Sequence, residues 1–249
     1  MSVAKWTPLF VIAEVPVEVV NKVLRSAQQE AERLQSAENF HNRWVVISEP
    51  SQQSVTKPTD SVALDFRSGF LDYSLDQIKN YVKSHLGENG LGQGKNSLDH
   101  LSDDAFAIID TRTAADNTVL FLIQDFINDV QEAEIRVAWG RANEYDKCIT
   151  LCSWEEGTDE DLASLLRAIG KGDLTDDAGD KREIIAGYLE QLREESEVLR
   201  WFEIRMDAGY SILGNGGLSF KGAADSLIDR DAFGQDGVMR GPTEGHQLA

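Results

Sequence analysis

At 249 residues, 41% hydrophobic and 8% aromatic, the chain holds enough apolar material for a packed core, which excludes global disorder. Its 43 acidic residues outweigh 24 basic ones, for a formal net charge of −19. That excess repels phosphate backbones and anionic lipid, so nucleic acid and membrane are poor partners. A solvated, solubilising surface is the plain reading of so much dispersed acid; a basic protein partner is the sharper one.

Two cysteines, Cys148 and Cys152, do not make a disulfide framework. No segment approaches the roughly 20 apolar residues that span a bilayer, and the first ten residues lack a basic region followed by an apolar run. A soluble cytoplasmic protein is expected.

In chain order, residues 7–15 (TPLFVIAEV) are apolar and β-prone, and Pro16 stands where a first helical turn begins. Val17, Val20, Leu24, Ala27, Ala31 and Leu34 then recur at helical spacing, predicting one buried face. Residues 43–49 (RWVVISE) read as a strand, 50–60 as a polar proline-flanked loop, and 61–67 (SVALDFR) as a second strand. Ser74 and Gln77 form a capping-box pair, and the helix they open is expected to stop at Gly87. The glycine-rich run 87–96 lacks the grammar of a phosphate loop, because Lys95 precedes Asn96 rather than Ser or Thr; a surface loop is expected.

Two short apolar runs, 105–109 and 119–123, bracket a polar stretch with Asp116 and Asn117, which suit a tight connection because both tolerate positive φ. They predict the two strands of a hairpin with a slightly long loop, deep in a sheet, with Asp110 at a strand end. Residues 134–139 (EIRVAW) and 147–154 (KCITLCSW) have strand composition. Thr158 and Asp161 cap a helix carrying Leu162, Leu165, Leu166 and Ile169, and a long amphipathic helix follows through Ile184, Ile185, Tyr188, Leu189 and Leu192. Residues 198–206 read either as more helix or as a strand with Phe202, Ile204 and Met206 on one face. The fold class expected is α/β: one domain over residues 1–241, with a mixed, largely antiparallel sheet covered by helices and a helical insertion at about 155–205. Residues 242–249 read as a disordered tail.

Three pieces stand together: LDFRSGF with Asp65 and Phe66, DTRTAADNTVLFL with Asp110 and the run 119–122, and a closing DGVMRG at 236–241. In combination they resemble the DUF6924 family, over about half the chain. The chain departs from that pattern in its first 58 residues, in the later position of Asp125, and in the segment near 150–210. The resemblance implies an α/β fold and carries no activity with it.

Four histidines, His41, His85, His100 and His246, form no HxH or HExxH pair, and no cysteine–histidine cluster has zinc spacing; neither metal nor cofactor is expected. No G-x-S-x-G elbow is present. The candidate catalytic groups are the strand-associated Asp65, Asp110 and Arg112, with His100 as a base, and the candidate pocket residues are Arg67, Trp201 and Tyr210. An ion-pair network tying loops is the plainer account of the charged residues, and docking of the 155–205 insertion on the core the plainer account of the aromatics. Two functions remain open: an acidic binding protein for a basic partner, and a cofactor-independent acid–base enzyme, of isomerase or cyclase type, acting on a small apolar molecule at the ends of the central strands.

Overall fold

The computed structural model describes residues 6–34, 44–86, 98, 101–138, 140–172, 178–195, 198–208 and 238–239. Residues 7–11 are buried at every position, and this strand, β1 (Thr7–Val11), is the one around which the first half of the chain winds. β2 (Trp44–Val46) lies parallel on one side of it and β3 (Ala105–Ile109) parallel on the other. β4 (Thr118–Ile127) returns antiparallel to β3, pairing Ala105 with Ile123 and Ile108 with Leu120. β5 (Val198–Asp207) and β6 (Val238–Met239) complete a six-stranded sheet of order β2-β1-β3-β4-β5-β6, the last pair parallel.

The α/β class and the mixed sheet are as the sequence predicts. The balance of directions differs: β1 pairs in parallel on both edges, so the sheet is mostly parallel rather than largely antiparallel. The cause is the helices α1 (Val17–Leu34) and α2 (Leu75–His85) between successive strands, since a helical crossover lets the chain re-enter the sheet in the same direction. The 105–109 and 119–123 runs do form an antiparallel pair. Their connection holds a short helix, α3 (Thr111–Asp116), and ends on Asn117 in the left-handed region at φ 58°.

The chain folds as two compact units. Among the described residues the first comprises 6–124, 201–208 and 238–239. Its core forms on one face of the sheet, where Phe10, Val45, Ile47, Phe106, Ile108 and Leu122 pack against Ile78, Tyr81 and Val82 of α2. Phe10 is the hub: its ring meets those of Phe70, Tyr81 and Phe106 edge to face, with centroids 5.1, 5.9 and 5.7 Å apart. Such pairs contribute about 0.5–1.5 kcal/mol each beyond the area they bury. α1 buries Val20, Val23, Leu24 and Ala27.

The second unit, residues 125–200 among those described, holds α4 (Asp129–Ala138), α5 (Glu144–Ser153), α6 (Asp159–Ala168) and α7 (Ala178–Glu195). Val130, Ala133, Ile149, Leu162, Leu165 and Leu166 pack with Ile185 and Leu189 of α7. Helices thus begin at 129, ahead of the 155 expected for an insertion, and 198–207 is the strand β5.

Three expected strands are not strands. Residues 61–67 are irregular with one turn at 64–65, and the Asn21 side chain holds both polar groups of Val62: Val62 N–H donates to Oδ1 at 2.8 Å and Nδ2 donates to Val62 C=O at 3.1 Å. Nor is the outer edge of β2 open to that segment. Thr59 occupies it, accepting from Val46 N–H at 3.0 Å and donating to Trp44 C=O at 2.8 Å. The 134–138 part of EIRVAW lies in α4, opened by a reciprocal Asn128–Gln131 box and braced by a Glu132–Arg136 pair. Residues 147–153 lie in α5, opened by the box of Asn143 and Asp146. In both, capping overrides the β-branched composition. The glycine run 87–96 and the tail 242–249 lie outside the described residues.

Candidate functional site

β1 leads to β2 on one side and β3 is added on the other, so the chain reverses its direction of growth across the sheet between β1 and β3. Strand ends at such a reversal leave a crevice, because the loops that follow them turn away to opposite sides. All the site residues described next belong to the first unit. Asp110 follows β3 directly, where Ile12 N–H donates to Ile109 C=O at 3.0 Å. The loop after β1 meets the 64–72 segment here, and Asp72 N–H donates to Ile12 C=O at 3.0 Å.

Asp110 holds two structures at once. As the N-cap of α3 it accepts from Thr113 N–H at 3.1 Å, while Thr113 Oγ1 accepts from Asp110 N–H at 3.1 Å. Its two carboxylate oxygens also receive Arg205 as a fork, Oδ1 from Nη1 at 3.0 Å and Oδ2 from Nη2 at 2.5 Å. The side chains are 21% and 10% exposed. Burial pushes the Asp110 carboxyl up, but the Arg205 guanidinium and the Thr113 donors outweigh it and hold the group below the usual carboxylate value. A carboxylate so held is ionised at neutral pH and makes a weak base.

A cleft of about 290 Å³ opens between the end of β1, α1 and the 64–71 segment. Val11, Val20 and Phe66 line it, with Glu14, Asp65 and Arg67 among the charged groups. Glu14, Asp65 and Arg67 are all exposed, and Leu64 projects from the same segment at 85% exposure.

The residues singled out from sequence therefore part company. Asp65 and Arg67 share the cleft. Asp110 is committed to Arg205. Arg112 is exposed and turns to Asp116, Nε to Oδ2 at 2.7 Å, one helical turn away. Trp201 packs edge to face on Phe106 at 5.2 Å, partly buried against the core. His100 and Tyr210 lie outside the described residues, as do His41 and His246. His85 stacks on Tyr81 at 4.5 Å. Among the described residues no group of three or more His, Cys, Asp or Glu is arranged to hold a metal, and no helix is long and apolar enough to cross a membrane.

Two residues escaped the sequence reading. Arg205 pairs with Asp110 across 95 positions, and its signal was a lone arginine between Ile204 and Met206 on a segment that fitted either helix or strand. Glu14 follows β1 and had no motif to mark it. No family model, curated protein or solved structure matches the chain.

Proposed function

We propose that the protein is a non-catalytic binding protein whose first unit takes a basic, partly apolar segment of a protein partner in the cleft at the end of β1. The observation carrying this is the cleft's composition: the exposed Leu64 stands beside the carboxylates of Glu14 and Asp65, with Arg67 as a cation that sets orientation. Exposed leucine next to paired acids suits a ligand that alternates lysine or arginine with an aliphatic residue, and a net charge of −19 steers such a ligand inward. Asp110 supports the reading from the other side, since its commitment to Arg205 and to α3 leaves it a structural carboxylate.

The test is fluorescence anisotropy with a labelled Lys/Leu peptide and its Glu/Leu counterpart at low and moderate salt. The Lys/Leu peptide should bind, weaken as salt rises, and lose about tenfold in affinity when Glu14 and Asp65 are both changed to lysine, roughly 0.7 kcal/mol for each charge reversed. Equal binding of the two peptides, or indifference to the double change, sinks the proposal. The acid–base reading keeps one foothold, the cleft's position at strand ends. It requires Asp65 rather than Asp110 as the working carboxylate.

A further inference from the structure

The second unit carries a cavity that the reading above does not use. It measures about 390 Å³, within the range of ~300–1,000 Å³ typical of small-molecule sites. One stripe of α7 forms a wall, with Arg182, Ile185, Ala186, Leu189 and Arg193 at spacings that bring them to one face of the helix. Leu162 of α6 completes an apolar floor with Ile185 and Leu189, and the end of α5 supplies Cys152 and Ser153. Gly157 closes the turn after α5 so tightly that a Cβ there would sit 3.2 Å from Cys152 Sγ.

The two arginines are what make the cavity unusual in so acidic a chain. Arg193 donates to Ser153 Oγ at 2.9 Å, and Ser153 in turn donates to Glu134 at 2.9 Å, so among the described residues a hydroxyl links the guanidinium to a carboxylate. Arg182 makes no ion pair with a described residue, and its charge bears on Cys152. Burial, first, and then the neighbouring Cys148 and Asp161 push the Cys152 thiol up to about 11, so at neutral pH it is a neutral wall rather than a nucleophile. Glu155 is the one opposing charge among the described residues that line the cavity.

From this arrangement we infer that the cavity binds a small amphipathic anion, a single carboxylate or phosphate head on a short aliphatic body, with the head on Arg182 and the body running along Ile185, Leu162 and Leu189 toward Arg193, about 16 Å further along the helix. Guanidinium forks match the geometry of both heads, and the floor rewards each methylene laid on it. The carboxylate and the phosphate monoester share this chemistry and are told apart by the probe.

Isothermal titration of the full chain with butanoate, hexanoate, octanoate, octyl phosphate and octanol tests the inference. From butanoate to octanoate each added methylene should tighten binding by roughly fourfold. Octanol should bind at least tenfold more weakly than octanoate, and tighter binding of octyl phosphate than of octanoate would assign the head to phosphate. Arg182→Ala should cost about tenfold, and Glu155→Gln should tighten binding severalfold, the opposite sign from a general loss of structure. Both positions are exposed, so the variants keep the helices intact, which far-ultraviolet circular dichroism checks. Equal affinity for octanol and octanoate, no dependence on chain length, or indifference to Arg182→Ala overturns the inference.

Discussion

The two units solve the problem of a core in different ways. In the first, a hub of rings from residues 10, 70, 81 and 106 interlocks edge to face over a sheet whose strands are far apart in sequence. In the second, no aromatic side chain is fully buried among the described residues, and Val, Leu and Ile from four successive helices pack together. Rings with a required geometry specify one arrangement, so order in the first unit comes from long-range fit. Branched aliphatics tolerate several arrangements, and order in the second unit comes from the ends of its helices, where capping boxes fix where α4, α5 and α6 begin.

Removing the hub should produce the largest effect. Phe10→Ala takes away a fully buried ring and three edge-to-face contacts, and about 4 kcal/mol of stability should go with it. Urea unfolding measures the loss, and amide exchange should quicken across β1 and β3. A loss below about 1.5 kcal/mol would mean that the ring geometry contributes little and that the contrast between the cores is only one of composition.

Asp110→Asn is the next in size. The variant keeps the cap acceptor but ends the charge-assisted fork to Arg205, leaving a guanidinium only 10% exposed without its counter-charge, at a cost of about 2 kcal/mol at pH 7. Because the folded carboxyl is held below its unfolded value, its contribution is fully present above about pH 4 and fades as pH falls through the lower folded value. The gap between the parent and the variant should therefore be widest near neutrality and shrink in acid. A gap that stays constant down to about pH 2 would show that the loss is one of shape and not of charge.

The smallest effect sharpens the other half of the comparison. Asn143→Ala removes the side-chain acceptor that takes Asp146 N–H at 2.9 Å, and about 1 kcal/mol should be lost. Amide exchange should quicken first in the opening turn of α5. If that turn keeps its protection, packing rather than capping sets the helix start.

How much of this could be read from the chain follows the same division. The helices opened by Ser74–Gln77 and Thr158–Asp161 were legible because hydroxyl boxes carry a familiar four-residue signature. The boxes of Asn128–Gln131 and Asn143–Asp146 do the same physical work, but the segments behind them are β-branched, and composition pointed to strands. The pairing of 105–109 with 119–123 was legible from two adjacent apolar runs. That 61–67 is not a strand was not, because Val62, Leu64 and Phe66 alternate in the sequence as a strand face would, yet in the fold Val62 and Phe66 are half-buried while Leu64 faces solvent. What decides the matter is the Asn21 clamp, 41 residues away. At the site, Asp110 could be found from its place after a strand, but Arg205 could be matched to it only once β5 was known to be a strand.

The closing of the outer side of β2 by Thr59, through its hydroxyl and its backbone N–H, has a consequence for how copies of this chain behave when crowded. At neutral pH a net charge of −19 keeps molecules apart. Near the isoelectric point of about 4.5 that repulsion vanishes, and a bare strand edge would then template strand addition from one molecule to the next. Thr59, following Pro58, fills the outward N–H of Val46 and C=O of Trp44 in a way that does not depend on pH. The safeguard against fibrous association at this edge is therefore a pair of hydrogen bonds from within the chain, and it remains in force when electrostatic repulsion has gone.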